Sequence, residues 1–199
     1  MLFTKLRIYL VLILLISSVA ISGDIIINLG QAKKAVKEYY SSGKYDEEVR
    51  QIINDALLNL NTLKLPENPA FIFDVDETAL SNMEYEVKYD YGYIKDKWDE
   101  WVFEGKAPAI KEVKRFYDTL ISKNISVIFI TGRKYDQYDI TLNNLKSEGY
   151  VRLDILICKP KDFSCKTAAE YKHEMRKLLS KKYNIIGSIG DQWSDLEGG

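Results

Sequence analysis

The stretch Phe71-Ile72-Phe73-Asp74-Val75-Asp76-Glu77-Thr78 constrains the chain most. A short apolar run ending in Asp-x-Asp reads as a buried strand that hands two carboxylates to a turn. In open α/β sheets that carboxyl end is where ligands bind. Two acids so close repel each other unless a divalent cation or a shared proton sits between them. Asp-x-Asp alone is a weak signal, because surface turns are rich in acids. The later chain gives it weight.

From Phe71 onward strands and helices alternate. Phe71–Phe73, Val127–Ile130, Ile155–Ile157 and Ile185–Ile189 read as strands. Ile110, Val113, Phe116, Tyr117 and Leu120 mark a helix, and residues 137–148 mark another. Thr167-Ala168-Ala169-Glu170 is a capping-box pattern that opens a helix through about Lys181. Before the first strand, Val49, Ile52, Ile53, Ala56, Leu57, Leu60 and Leu63 recur at helical spacing from Tyr45 on, and Pro66 and Pro69 end that helix. Short apolar strands between amphipathic helices imply an α/β fold with a parallel sheet covered on both faces. The segment Ser81 to Pro108 breaks the rhythm. It carries Tyr85, Tyr89, Tyr91, Tyr93, Trp98, Trp101 and Phe103 without a clean period, and it follows the Asp-x-Asp turn. An insertion there would sit over the strand ends as a small cap, its aromatics forming a satellite core or lining a pocket.

The 199 residues suit one domain, and 46% hydrophobic with 29% charged residues describes a folded chain. A formal net charge of −1 gives no electrostatic reason to expect nucleic acid as a partner. Residues 1–23 read as a signal peptide: Lys5 and Arg7, an apolar run Ile8–Ile16, then Ser17, Ser18, Ala20 and Gly23. The run is shorter than the roughly 20 residues that span a bilayer, which favours export with cleavage over an uncleaved membrane anchor. No Cys lies near the cleavage region, so lipid attachment there is not expected. The expected compartment is secreted, extracellular or periplasmic. Cys158 and Cys165 could close a small loop in such a compartment or remain two free thiols. His173, the single histidine, stands among charged helix residues and reads as solvent-facing; one histidine excludes the usual zinc sites.

Three strand ends carry groups suited to one task. The first supplies Asp74 and Asp76, the second Thr131-Gly132-Arg133, and the fourth Gly190-Asp191-Gln192-Trp193-Ser194-Asp195. Lys172 lies on a helix between them, with Lys159, Lys161 and Lys166 as rivals. A phosphoryl group can pass to a carboxylate and then to water. Asp74, first beyond the strand, is the candidate nucleophile, and Asp76 the candidate acid and base. Transferring phosphoryl groups need fixed positive and donor groups, which Lys172 and Thr131 offer. Asp74, Asp191 and the Asp76 carbonyl make an all-oxygen site suited to Mg2+, and Asp195 could join it or orient its water. Arg133 could clamp a substrate phosphate or pair on the surface.

These motifs resemble the haloacid dehalogenase (HAD) superfamily acid phosphatases that include class B and class C enzymes and plant vegetative storage proteins. The resemblance rests on Asp74–Thr78, Leu80-Ser81-Asn82 leading to Tyr85, and Trp98-Asp99-Glu100-Trp101. It continues through Gly105–Ala109, Phe129–Arg133, Asn144-Leu145, Gly149-Tyr150, Tyr171-Lys172-His173 and Ile186–Leu196. It implies a Rossmann-like core over residues 24–199 with a small cap at about 81–108, Mg2+, and hydrolysis of small phosphomonoesters at acidic pH. By position, Asp74 matches the family's nucleophile, Asp76 its acid/base, Thr131 and Lys172 its second and third motifs, and Asp191 and Asp195 its acidic fourth motif. Family members continue past that motif with another strand, so a carboxyl-terminal truncation at Gly199 is one expectation. A non-enzymatic storage or binding protein on the same fold is the alternative function. A phospho-receiver domain also gathers Asp, Thr and Lys around magnesium, but it places an acidic pair before the phosphorylated Asp and lacks the Gly-Asp-x-x-x-Asp ending.

Overall fold

The computed structural model describes residues 28–161 and 167–196. Contacts divide the chain into two compact units, Met1–Lys37 and Glu38–Gly199. The described part of the first is residues 28–37, which from Leu29 belong to helix α1 (Leu29–Ser41). The expected signal peptide lies outside the described residues, as does Cys165, so a Cys158 pairing with it is not described; the Cys158 thiol is buried. Among the described residues no helix is long and apolar enough to cross a membrane.

Among the described residues, the second unit is built on four parallel strands: β1 (Pro69–Phe73), β2 (Ser126–Lys134), β3 (Ile155–Lys159) and β4 (Asn184–Ile189). They lie in the order β3-β2-β1-β4. Successive side chains of a strand point to opposite faces, and here both faces are buried. Phe73, Val127 and Phe129 enter one apolar cluster with Ile53 and Leu60 of α2 (Lys44–Thr62) and with Val113, Phe116, Tyr117 and Leu120 of α5 (Lys111–Ser122). Ala70, Ile72, Ile128 and Ile130 enter a second, against Tyr171 and Leu179 of α7 (Ala168–Leu179). The α/β architecture expected from the alternation is therefore present. Within the predicted α2 stripe, Ile52 and Leu63 are exposed, because the buried line runs through Ile53, Ala56, Leu57 and Leu60 and leaves its flanks to solvent.

Two elements differ from expectation. β2 continues past Ile130 to Lys134, and its pairing with β3 becomes irregular between Ile130 and Lys134. Thr131 and Arg133 are thus strand residues, held by the sheet rather than by a loop. The aromatic segment without clean periodicity forms two helices, α3 (Met83–Lys88) and α4 (Lys95–Glu104). Tyr85 and Trp101 are buried, and Trp98 packs edge-on against Tyr85 with centroids 5.1 Å apart. Tertiary packing of large rings overrides the irregular local pattern. The segment's far end is fastened by Asn144 of α6 (Tyr138–Ser147), whose amide bonds both the N–H and the C=O of Ala107 at 3.1 and 2.8 Å. His173 is half-buried rather than solvent-facing, lining a groove beside β4 with Tyr183 and Gly187.

Phe116 is 1% exposed and stacks edge-on against Phe71 with centroids 5.0 Å apart. Phe116→Ala is expected to lower unfolding free energy by about 3–5 kcal/mol, measured by urea denaturation.

Candidate active site

The strand order places the site. From β1 the chain moves outward to β2 and β3, then crosses back to β4 on the other side of β1. In open parallel sheets such a reversal leaves a crevice at the carboxyl ends of the strands. Asp74 follows β1 and Asp191 follows β4, and the Asp74 N–H donates to Ile189 O at 3.0 Å, tying the two ends together.

Lys172, on the first turns of α7, is the centre of the charge arrangement. Its Nζ donates to Asp74 Oδ1 at 2.6 Å and to Asp195 Oδ1, and all three side chains are less than a tenth exposed. The rivals Lys159 and Lys161 are not in this cluster, and Lys166 lies outside the described residues. Burial pulls the Lys172 ammonium down, but the two carboxylates more than offset it and its pKa is raised. Burial pushes Asp74 up to about 7; Lys172 opposes that shift, while Asp195 and Asp76 add to it.

Asp74, Asp191 and Asp195 each bring a carboxylate oxygen within 4.8 Å of the others. Three carboxylates against one ammonium leave two negative charges, and the donor set is all oxygen. That combination fits a hard divalent cation. Asp191 is exposed to solvent, yet the protein packed beneath it raises its pKa. Asp195 is buried, and its Oδ2 accepts the Gln192 N–H at 3.1 Å. Gly190 makes this return possible: a β-carbon there would overlap the Asp195 carboxyl group. Arg176, unremarked in the sequence, anchors the same turn from α7, donating to Ser194 O at 3.1 Å and Asp195 O at 3.3 Å.

Asp76 stands apart from that carboxylate cluster. Its Oδ1 accepts Arg133 Nη2 at 2.7 Å, Arg133 Nε at 3.1 Å and Asn82 Nδ2 at 2.9 Å. Arg133 is therefore not a surface residue: it pairs with Asp76. It is buried, with its third nitrogen on Thr141 Oγ1 at 3.2 Å. Thr131 is fully buried at the same strand end, and its Oγ1 accepts the Arg133 N–H at 3.1 Å, which leaves the hydroxyl proton to donate. Glu77 adopts φ 55°, the left-handed region that a non-glycine residue enters at a cost. Its carboxylate receives the backbone and side-chain N–H groups of Asn82 at 2.7 and 3.0 Å, and burial raises it to about 7. Asn82 and Trp101 stood in the sequence within the motifs of the family resemblance, with no role assigned, since no local pattern marks either as adjacent to Asp76.

Residues 24–199 match the family HAD superfamily, subfamily IIIB (acid phosphatase). The chain belongs to this family. It is 40% identical over 171 residues to the stem 28 kDa glycoprotein of Glycine max, covering 83% of this chain and 67% of that one. It is 34% identical over 169 residues to acid phosphatase 1 of Solanum lycopersicum, covering 82% and 66%. Among solved structures it resembles the class C acid phosphatase from Bacillus anthracis, with a TM-score of 0.71 and 27% identity over 86% of this chain and 73% of that one. The chain thus spans about two thirds of the length of these plant relatives. A HAD-like parallel core, read from the alternation and the motifs, is what the family match and the structural likeness show.

Each raised carboxylate holds its proton more tightly folded than unfolded. The stabilisation is complete below the unfolded carboxylate range of about 4 and is lost as pH rises through about 7 for Asp74 and Glu77. Lys172 stays charged throughout that window. In chelator, the melting temperature is expected to fall between about pH 5 and pH 8, and Asp74→Asn to flatten part of the slope in scanning calorimetry. Lys172→Met, which leaves Asp74 and Asp195 buried without their partner, should cost about 3–5 kcal/mol at pH 8 and less at pH 5 in urea titrations.

Proposed function

We propose that this protein is a secreted, Mg2+-dependent acid phosphatase that hydrolyses small phosphomonoesters through an aspartyl-phosphate. The observation that carries the reading is Asp74: a buried carboxylate at the sheet's switch point, bonded to Lys172 and clustered with Asp191 and Asp195. Family membership and the likeness to a class C acid phosphatase support the same chemistry. In this scheme an Asp74 oxygen attacks phosphorus while the ester P–O bond breaks and Asp76 gives a proton to the leaving oxygen. Water then attacks the phosphorus of the aspartyl-phosphate, Asp76 takes its proton, and inorganic phosphate departs, regenerating Asp74. Thr131 and Lys172 hold the phosphoryl oxygens. Asp74, Asp191 and the Asp76 backbone carbonyl would hold Mg2+, with Asp195 binding it or orienting its water; the ion supplies charge neutralisation for the phosphoryl oxygens. The segment at about 81–108 serves as the cap, and residues 1–23 as the export signal.

Phosphate release from an aryl phosphate tests this. Turnover is expected with Mg2+, loss in chelator, and background rates for Asp74→Asn. Independently of activity, Mg2+ should raise the melting temperature, and Asp191→Asn should weaken that rise. A folded chain that binds Mg2+ but releases no phosphate would favour the storage or binding alternative.

A further inference from the structure

We infer that Asn82, oriented by Trp101 of helix α4, is a positioning residue that works with Arg133 to hold the Asp76 carboxylate by its Oδ1. The inference rests on the phosphatase reading above and adds a role for the inserted segment in the proton-transfer step.

The geometry sorts the two oxygens of Asp76. Oδ1 is saturated, accepting from Arg133 Nη2 at 2.7 Å, Asn82 Nδ2 at 2.9 Å and Arg133 Nε at 3.1 Å. Oδ2 has a single contact, to Arg133 Nε at 3.2 Å. An oxygen that already accepts several charge-assisted bonds is the poorer site for a proton. Oδ2 is therefore the less engaged oxygen, the one available to serve a leaving group. The Asp76 side chain is 23% exposed, so the carboxylate is not sealed from the crevice where an ester would lie.

Trp101 fixes the direction of the Asn82 amide. An indole N–H can only donate. Trp101 Nε1 lies 2.8 Å from Asn82 Oδ1, so the amide oxygen must face the indole and the NH2 must face the acids. Its two protons then reach Asp76 Oδ1 and, at 3.0 Å, Glu77 Oε2. Asn82 is fully buried and Trp101 is 5% exposed, so water does not substitute for either bond. A flipped amide would set its oxygen against two carboxylates. Docking of α4 thereby transmits an orientation to Asp76 without α4 touching the reacting atoms.

The test uses the full chain with Mg2+ and two esters that differ in their need for a proton. An alkyl phosphate has a poor leaving group and depends on general acid help; a dinitrophenyl phosphate leaves readily without it. Asn82→Ala and Trp101→Phe are expected to lower kcat/KM for the alkyl ester by about 10- to 100-fold and for the dinitrophenyl ester by less than about threefold. Asp76→Asn should show the same asymmetry, and Asp74→Asn should remove both activities. Equal losses on the two esters, or no loss, in Trp101→Phe would overturn the inference and leave the pair a packing contact. If Asn82→Ala does not fold by circular dichroism, Trp101→Phe decides alone, since it keeps an aromatic ring and deletes the N–H. Activity surviving in Asp74→Asn would instead count against the phosphatase reading, and an inactive wild-type chain would overturn both.

Discussion

The site depends on compensating buried negative charge. Bringing Asp74 and Asp195 together away from water is costly for two like charges. Lys172 makes it tenable by bonding both, and α7 carries Lys172 to that point because Tyr171 and Leu179 on the same helix are buried against Ile72 and Ile128. The packing of one apolar helix face therefore sets the position of one ammonium. That ammonium in turn sets how much residual negative charge the strand ends present.

The second carboxylate of the Asp-x-Asp pair is handled differently. Asp76 lies two residues from Asp74, but its charge is met by Arg133 and Asn82 instead of by Lys172. The two acids thus occupy separate environments although they share one turn. Differences of that kind allow two carboxylates of the same chemistry to take different roles. Arg133 reaches Asp76 because β2 runs on past Ile130, so sheet pairing, and not a flexible loop, holds the guanidinium. A further contact comes from α4, where Trp101 donates to Asn82.

Much of this was legible in the chain. The four described strands, the capping box at Thr167, and the placing of Asp74, Thr131 and Asp191 at one sheet edge follow from apolar periodicity and from the geometry of parallel strands, while Lys172 was preferred over its rivals only through the family resemblance. Periodicity reports burial, and parallel connections force successive strand ends to the same side. Three points were not legible. The helices in the aromatic segment come from rings packing on one another, which no period encodes. The partner of Arg133 lies 57 residues away in sequence, and that of Trp101 lies 19 away. His173 is half-buried because α7 turns it toward β4, which its charged neighbours concealed.

The sequence by itself determined the elements and the supply of chemistry: where apolar runs end, which of those ends carry acids, and that a lysine-bearing helix follows β3. These are local properties, written in composition and spacing. Only the tertiary structure decided the pairing of charges. It chose Lys172 for Asp74, assigned Arg133 to Asp76, and turned the Asn82 amide by means of a distant indole. Such choices depend on distances of about 3 Å between groups far apart along the chain, and hydrogen bonding discriminates at that scale while sequence patterns do not.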